Sequence, residues 1–113
     1  MGYNRPMDDD GQLSIPPSFA ALYRDARGRM TVLAAEFRAR YELCEDMAQM
    51  LAEPSRARVY DLGLSEDLVL ARTRAGLAAE GGGFSEAEAH WVATRLAELL
   101  GWDWAEAMPT PAR

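Results

Sequence analysis

Residues 32–52 read VLAAEFRARYELCEDMAQMLA, and this stretch predicts the longest helix of the chain. When successive residues are placed about 100° apart around a helix, many of its apolar side chains fall on one face. These are Leu33, Phe37, Tyr41, Cys44, Met47, Ala48 and Leu51. Val32, Leu43 and Met50 widen that face to about half of the circumference. So broad an apolar arc predicts a central helix with at least two other helices packed against it.

Capping and breaking residues predict where this long helix begins and ends. Thr31 is expected to be its N-cap, since threonine side chains bond free backbone amides there. Pro54 is expected just past its end. A link then runs from Glu53 to Asp61, where a short extended piece has no second strand to pair with.

Three more helices are predicted from similar signals. The first runs from Pro17 to about Arg27 and stops at Gly28. The third begins after Ser65 as N-cap and ends near Ala79. The fourth covers Glu86–Leu100, because Ser85 and Glu88 form a capping box and Gly101 follows the last apolar residue. Trp102 and Trp104 are expected to fold back onto the helices.

The fold class predicted from these elements is all-α: a compact single-domain bundle of three main helices plus a short N-terminal helix. With 113 residues, of which 49% are hydrophobic, the chain is long enough for one core. Residues 1–14 are interpreted as a flexible arm, 15–107 as the helical domain and 108–113 as a flexible tail.

Composition excludes several kinds of site. The formal net charge is −6, and all twelve basic residues are arginine, so a P-loop lysine or a Schiff-base lysine is absent. One cysteine and one histidine allow neither an internal disulfide nor a histidine-based metal cage. We therefore expect no metal and no cofactor. Neither a signal peptide nor a long apolar run is found, which predicts a cytoplasmic protein without membrane contact.

Three features with catalytic or anion-binding potential are each explained more simply. Cys44 is expected to be a buried structural cysteine, since Glu45 and Asp46 would raise rather than lower its pKa. His90 is expected at the flank of the fourth helix as a boundary residue. The run Gly81–Gly83 lacks the strand and the lysine of a phosphate loop, so we interpret it as a linker.

Four pairs of arginines follow an R-x-R pattern. Residues two apart on a helix point about 200° apart, so no pair forms a single clamp. Solvated helix faces explain the pattern most simply, and separate anchors for an acidic partner are the alternative. The pairs are Arg27/Arg29, Arg38/Arg40, Arg56/Arg58 and Arg72/Arg74.

Two features predict an interface. Glu36 and Arg40, spaced i,i+4, point into the apolar arc of the long helix and form either an internal pair or a polar spot in a binding surface. Trp91 is expected on the solvent side of the fourth helix, where it is either an interface anchor or covered by Trp102 or Trp104. With Leu70 and Leu77 on the outer side of the third helix, it predicts a second apolar surface.

Five segments together resemble a group of small bacterial proteins that are often labelled "ATPase with chaperone activity". They are IPPSF (15–19), RYELCED (40–46), GLSEDLVL (63–70), FSEAEA (84–89) and RLAELLGW (95–102). The resemblance implies association with a chaperone or remodelling machine. No ATPase motif accompanies it, because the chain lacks a phosphate loop with its lysine. No functional residue is carried over.

The leading hypothesis is a non-enzymatic adaptor that docks through helix faces on another protein or on a second copy of itself. A nucleic-acid-associated regulator is the first alternative, with the third and fourth helices acting as a helix-turn-helix. Residues 61–113 carry nine acids against four arginines, which disfavours nucleic acid but permits an acidic DNA mimic. A small enzyme that uses Cys44 or His90 is the last alternative.

Overall fold

The computed structural model describes residues 15–109, and within them the chain is all-α, as predicted. An isolated bridge between Arg24 and Met30 is the one β-type pairing among the described residues. Residues 1–14 and 110–113, which include the predicted arm and most of the predicted tail, lie outside the described range. The described part of the chain contains one short and three long α-helices: α1 (Pro17–Ala20), α2 (Ala34–Leu62), α3 (Glu66–Ala78) and α4 (Glu86–Leu100).

The described residues belong to two compact units, residues 15–42 and residues 43–109. The first contains α1 and the beginning of α2. The second contains the rest of α2 together with α3, α4 and the C-terminal segment. Among the described residues, Phe19 is the one buried residue of the first unit, and the other buried residues belong to the second unit.

An aromatic cluster forms the interior of the first unit. Phe19 is fully buried, and its ring centroid lies 5.5 Å from that of Tyr23, 5.7 Å from Phe37 and 5.4 Å from Tyr41. The rings are tilted or edge-on, which is the arrangement that aromatic quadrupoles favour. This cluster attaches α1 to the first turns of α2.

The first helix is much shorter than predicted. It gives way to a 3₁₀ turn at Ala21–Tyr23 and does not reach Arg27. The carboxylate of Asp25 accepts hydrogen bonds from the backbone amides of Arg27 and Arg29, each 2.9 Å long. An aspartate side chain that bonds nearby amides competes with the helical backbone, so the chain turns here instead.

Thr31 is not the N-cap of α2, which corrects a second prediction. Its hydroxyl and its amide both donate to the backbone carbonyl of Tyr23, at 3.1 and 2.7 Å. The first helical bond of α2 joins the amide of Phe37 to the carbonyl of Leu33 at 2.9 Å. The threonine therefore closes the preceding turn and leaves the helix to begin at Ala34.

The long helix continues well past Pro54, so the predicted link at 53–61 is wrong and is the last part of α2. A proline removes one backbone hydrogen bond and costs about 3 kcal/mol in a helix interior. Half of the residues from Ser55 to Leu62 are good helix formers, namely arginine, alanine and leucine, and no glycine interrupts them before Gly63. Gly63 adopts a φ of 70°, and its amide donates to the carbonyl of Val59, which ends the helix.

The outer part of the predicted arc of α2 does not pack inward. Cys44 and Ala48 are fully buried, as their positions predict. Leu43 and Met50, however, are 41% and 66% exposed. The broad arc therefore overstates how much of the surface of α2 is covered.

In the second unit α4 is the most enclosed element. Its capping box is present: the Ser85 hydroxyl accepts from the Glu88 amide, and the Glu88 carboxylate accepts from the Ser85 amide, both at 3.0 Å. Gly101 ends the helix with a φ of 73°. The buried residues of α4 are Glu88, Ala89, Trp91, Val92, Ala93, Leu96 and Ala97.

The C-terminal segment lies against α4, as predicted for the two tryptophans. Trp104 is buried in the core cluster, which also contains Leu70 and Leu96. The Nε2 of His90 donates to the carbonyl of Glu106 at 2.6 Å, because a carbonyl oxygen only accepts. The amide of Met108 donates to Thr94 Oγ1 at 2.9 Å, so Met108 is held by α4 rather than free in a tail.

The burial of Ser55 leads to a testable prediction about stability. This residue is fully buried on α2, and its hydroxyl has no hydrogen-bond partner among residues 15–109. Burying a hydroxyl group without a hydrogen bond destabilises the folded state, and alanine is a better helix former than serine. Ser55→Ala is therefore expected to raise the free energy of unfolding by about 1–2 kcal/mol. Urea unfolding followed by circular dichroism measures the change.

Thr94→Val is the control for Ser55→Ala, because the Thr94 hydroxyl makes two hydrogen bonds, to the His90 carbonyl and the Met108 amide. This variant is expected to lose about 1 kcal/mol. A stability loss for Ser55→Ala as large as that of the control would mean that the Ser55 hydroxyl does have a stabilising partner.

Candidate functional site

The apolar docking surface predicted around Trp91 does not exist. Trp91 is only 3% exposed, and Leu70 is fully buried in the core cluster. The buried residues of α4 cover about two thirds of its circumference, and Trp91 lies within this arc. Of the predicted apolar interface residues, Leu77 alone keeps part of its surface open to solvent.

The structure also differs from the prediction for Glu36 and Arg40, the polar spot on the long helix. Glu36 is exposed to solvent, so its carboxylate is not held within an apolar face. Arg40 is half-buried. Both residues lie in the first unit.

The catalytic and anion-binding alternatives are Cys44, His90 and the run Gly81–Gly83. Cys44 is fully buried, so its thiol is closed to substrates. The Nε2 of His90 is occupied by a backbone carbonyl. Gly81–Gly83 forms a turn, in which the amide of Gly82 donates to the carbonyl of Ala79 at 2.8 Å. The helix start that follows it is satisfied by its own capping box.

A cleft in the second unit is the strongest candidate for a binding site. It has a volume of about 420 Å³ and lies between the C-terminal half of α2 and one face of α3. Ligand sites in proteins commonly have volumes of about 300–1,000 Å³ and mostly apolar walls. The cleft is lined by Leu51, Arg58, Leu62, Leu64, Val69, Arg72, Thr73, Gly76 and Leu77.

Helical spacing explains how the sequence brings these residues together. On α2, Leu51, Arg58 and Leu62 are spaced i, i+7 and i+11, which places them along one face. On α3, the lining positions between Val69 and Leu77 are spaced i, i+3, i+4, i+7 and i+8, which again defines one face. Gly63 ends one helix shortly before the next begins, so the two faces border the same space.

The two arginines of the cleft are each one member of an R-x-R pair. Arg56 pairs with Glu53, and Arg74 pairs with Glu86 at 2.7 Å, both outside the cleft lining. Their partners in the motif, Arg58 and Arg72, point the other way and line the cleft. Neither forms an ion pair with another residue in the 15–109 range. The opposite orientation within each pair is the one predicted for residues two apart on a helix.

The lining of the cleft is positively charged, whereas the protein as a whole is negatively charged. The chain has 18 acidic and 12 basic residues, yet both charged residues of the lining are arginines. Thr73 adds a hydroxyl that already donates to the carbonyl of Val69 at 2.8 Å. The cleft therefore combines apolar walls with two cationic groups, which suits an amphipathic anion.

Gly76 leaves one wall of the cleft without a side chain. A Cβ added there would meet no atom of residues 15–109 within 4 Å, and the residue does not have a positive φ. Neither crowding nor backbone conformation therefore requires a glycine at this position. Glycine within a helix costs about 0.5–1 kcal/mol relative to alanine, and here it keeps the cleft wide.

Gly76→Ala is accordingly expected to raise the free energy of unfolding by about 0.5–1 kcal/mol, which thermal or urea unfolding measures. Gly82→Ala is the matched control, because a Cβ there would lie 2.7 Å from the carbonyl oxygen of Gly76 and closer still to that of Leu77. That variant is expected to destabilise the protein. Equal losses from both variants would contradict the idea that Gly76 is unconstrained.

A second charged group, which sequence spacing does not predict, joins α2 to α4. The Nε of Arg95 lies 2.9 Å from the Oε1 of Glu45, and its Nη2 lies 3.1 Å from Oε2. Gln49 donates to the same carboxylate at 2.8 Å, and Glu98 accepts from Arg95 at 3.2 Å. The members of this network satisfy one another, so it is a structural tie rather than a binding site.

The network shifts the pKa of both central residues. Burial raises the pKa of Glu45, but hydrogen bonds from Arg95 and Gln49 and the charge of Arg95 outweigh it, so the pKa lies below its ordinary value. The hydrogen bond to Glu45 is the main reason why the pKa of Arg95 is raised. The ion pair is therefore fully charged at neutral pH.

Within residues 15–109, no three histidine, cysteine or acidic side chains gather as potential metal ligands. None of the helices in this range has the length and apolar character needed to cross a bilayer. When the chain is compared with protein-family models, with curated proteins and with solved structures, no match is found in any of the three.

Proposed function

We propose that this chain is a non-enzymatic protein-binding module, an adaptor of a cytoplasmic assembly, and that it docks its partner in the cleft between α2 and α3. The observation that carries the proposal is the lining itself: open apolar walls and two arginines that make no ion pair with a described residue. Apolar side chains supply affinity at protein interfaces, and arginine is enriched there. The sequence resemblance suggests a chaperone or remodelling assembly as the class of partner.

The size of the cleft suits side chains of another protein. A cavity of about 150 Å³ is enough to accommodate benzene. At about 420 Å³, the cleft has room for two or three large apolar side chains. Leu62 at its edge is itself 67% exposed, which adds apolar surface that a partner would cover.

A photo-crosslinking residue at position 64 tests the proposal, because Leu64 lines the cleft and is half-buried. Tyr60 is the control position, since it lies on α2 outside the lining and is 89% exposed. In cells of the source organism we expect position 64 to capture one polypeptide that position 60 does not, and mass spectrometry then identifies it.

The variant Arg58→Gln/Arg72→Gln is expected to weaken that cross-link, because it removes the charges of the cleft. A captured second copy of the chain would identify the partner as the protein itself. The same products from both positions, or no product that depends on the cleft, would contradict a docking role.

A further inference from the structure

We propose that the occupant of the cleft is a short acidic amphipathic helix of the partner, with apolar side chains directed into the cleft and carboxylates beside them. This inference rests on the proposed protein-binding function and specifies its ligand. It follows from the secondary structure of the walls, from their length and from the charge of the lining.

The walls favour a helix over other peptide conformations. An extended peptide usually binds by adding a strand to a free sheet edge, and residues 15–109 contain no sheet. A polyproline segment usually docks on aromatic side chains, and the lining of this cleft contains none. A groove between two helices with leucine and valine walls is the surface on which amphipathic helices dock.

The length of the walls limits the length of this helix. From Val69 to Leu77 the lining covers eight residue steps, or about 12 Å at 1.5 Å per residue. From Leu51 to Leu62 it covers eleven steps, or about 16 Å. The contact region therefore fits about two to three turns of a partner helix, with apolar anchors spaced i, i+3 or i+4, and i+7.

The charge of the lining selects carboxylates on the partner. Arg58 lies on the α2 wall and Arg72 on the α3 wall, so each side of the cleft carries one guanidinium group. Guanidinium groups bind carboxylates through paired hydrogen bonds, which gives geometry as well as attraction. Because the lining contains no acidic residue, a glutamate or aspartate beside the apolar stripe meets no repulsion from the lining.

Three labelled peptides test this inference by fluorescence anisotropy. All have a leucine stripe and about 16 residues, since shorter isolated helices are marginal in water. They differ only in whether glutamate, glutamine or lysine flanks the stripe. The glutamate peptide is expected to bind about tenfold more tightly than the glutamine peptide, and the lysine peptide most weakly. Raising the salt from about 50 to about 300 mM should reduce the difference.

Matched variants connect the preference to the cleft. Arg58→Gln/Arg72→Gln should bind the glutamate and glutamine peptides equally, whereas Arg56→Gln/Arg74→Gln has the same net charge and should keep the preference. Gly76→Leu, which fills the cleft without meeting a neighbouring atom at its Cβ, should prevent binding of every peptide. Circular dichroism confirms that each variant is folded.

The outcomes separate this inference from the function on which it rests. Equal binding of all three peptides would contradict the proposal that the occupant is an acidic helix. Failure of every peptide to bind while the cross-link at position 64 persists would contradict it as well. In both cases the proposed protein-binding function stands. Binding of decanoate in the cleft with no peptide binding would assign the site to a small amphiphile and overturn the inference. If no peptide binds and position 64 gives no cross-link, the proposed protein-binding function is contradicted as well.

Discussion

Replacing Phe19 by alanine is expected to lower the free energy of unfolding by about 3–5 kcal/mol. The side chain is fully buried, and its ring lies within 5.7 Å, centroid to centroid, of those of Tyr23, Phe37 and Tyr41. Its removal loses both the transfer free energy of the ring and the packing of three neighbours around the cavity left behind. Urea unfolding followed by far-ultraviolet circular dichroism measures the loss.

Two further variants make this result interpretable. Phe19→Leu keeps most of the apolar volume and is expected to lose less than the alanine variant, which provides a measurable case if Phe19→Ala does not fold. Leu33→Ala removes a side chain that is 79% exposed and should change stability by less than about 0.5 kcal/mol. A similarly small effect of Phe19→Ala would contradict a stabilising role for the aromatic cluster.

The features that sequence predicts best are those determined by neighbouring residues. The capping box of Ser85 and Glu88, the cap at Ser65 and the stop at Gly101 are all confirmed. In each case the hydrogen bond joins groups within a few residues, so the local pattern contains all the information needed. The all-α class follows from the same local signals repeated along the chain.

Predictions fail where two local effects compete. Asp25 lies within the segment predicted as the first helix, yet its carboxylate bonds two backbone amides and turns the chain. Pro54 predicts the end of the long helix, yet the helix continues to Leu62. The sequence pattern shows both tendencies at each position, and the remaining structure determines which one prevails.

The candidate site depends on which helix faces are covered, and counting angles does not determine this. Counting angles predicts Trp91 on the solvent side of α4, but its side chain is only 3% exposed. The R-x-R pattern predicts that the members of each pair diverge, which is confirmed for Arg58 and Arg72. That these two line one cleft depends on the path of the chain between α2 and α3.

Removing the partner of Glu45 is expected to have the second largest effect on stability. Arg95→Met should lower the free energy of unfolding at pH 7 by about 2 kcal/mol, because hydrogen bonds to charged groups contribute about 1.5–3 kcal/mol. The Glu45 side chain is only 18% exposed, so its charge is poorly solvated once the guanidinium is gone. Urea unfolding of both proteins at a series of pH values measures this difference.

The pH dependence follows from the lowered pKa of Glu45. An unfolded glutamate has a pKa of about 4.3, and the folded value lies below its ordinary one, so the pair stabilises the protein fully above about pH 5. As the pH falls through the folded pKa, the carboxylate takes up a proton and this stability is lost. The difference between wild type and Arg95→Met should therefore shrink toward zero in acid.

Two comparisons isolate the pair from other acid effects. Glu45→Gln/Arg95→Met leaves no unpaired charge at these positions and should be more stable at pH 7 than Arg95→Met alone. Arg56→Met breaks an exposed ion pair with Glu53 and should cost less than about 0.5 kcal/mol. If the cost of Arg95→Met did not change between pH 7 and pH 3, it would arise from lost packing of the arginine stem. The charge of Glu45 would then have no part in holding α2 to α4.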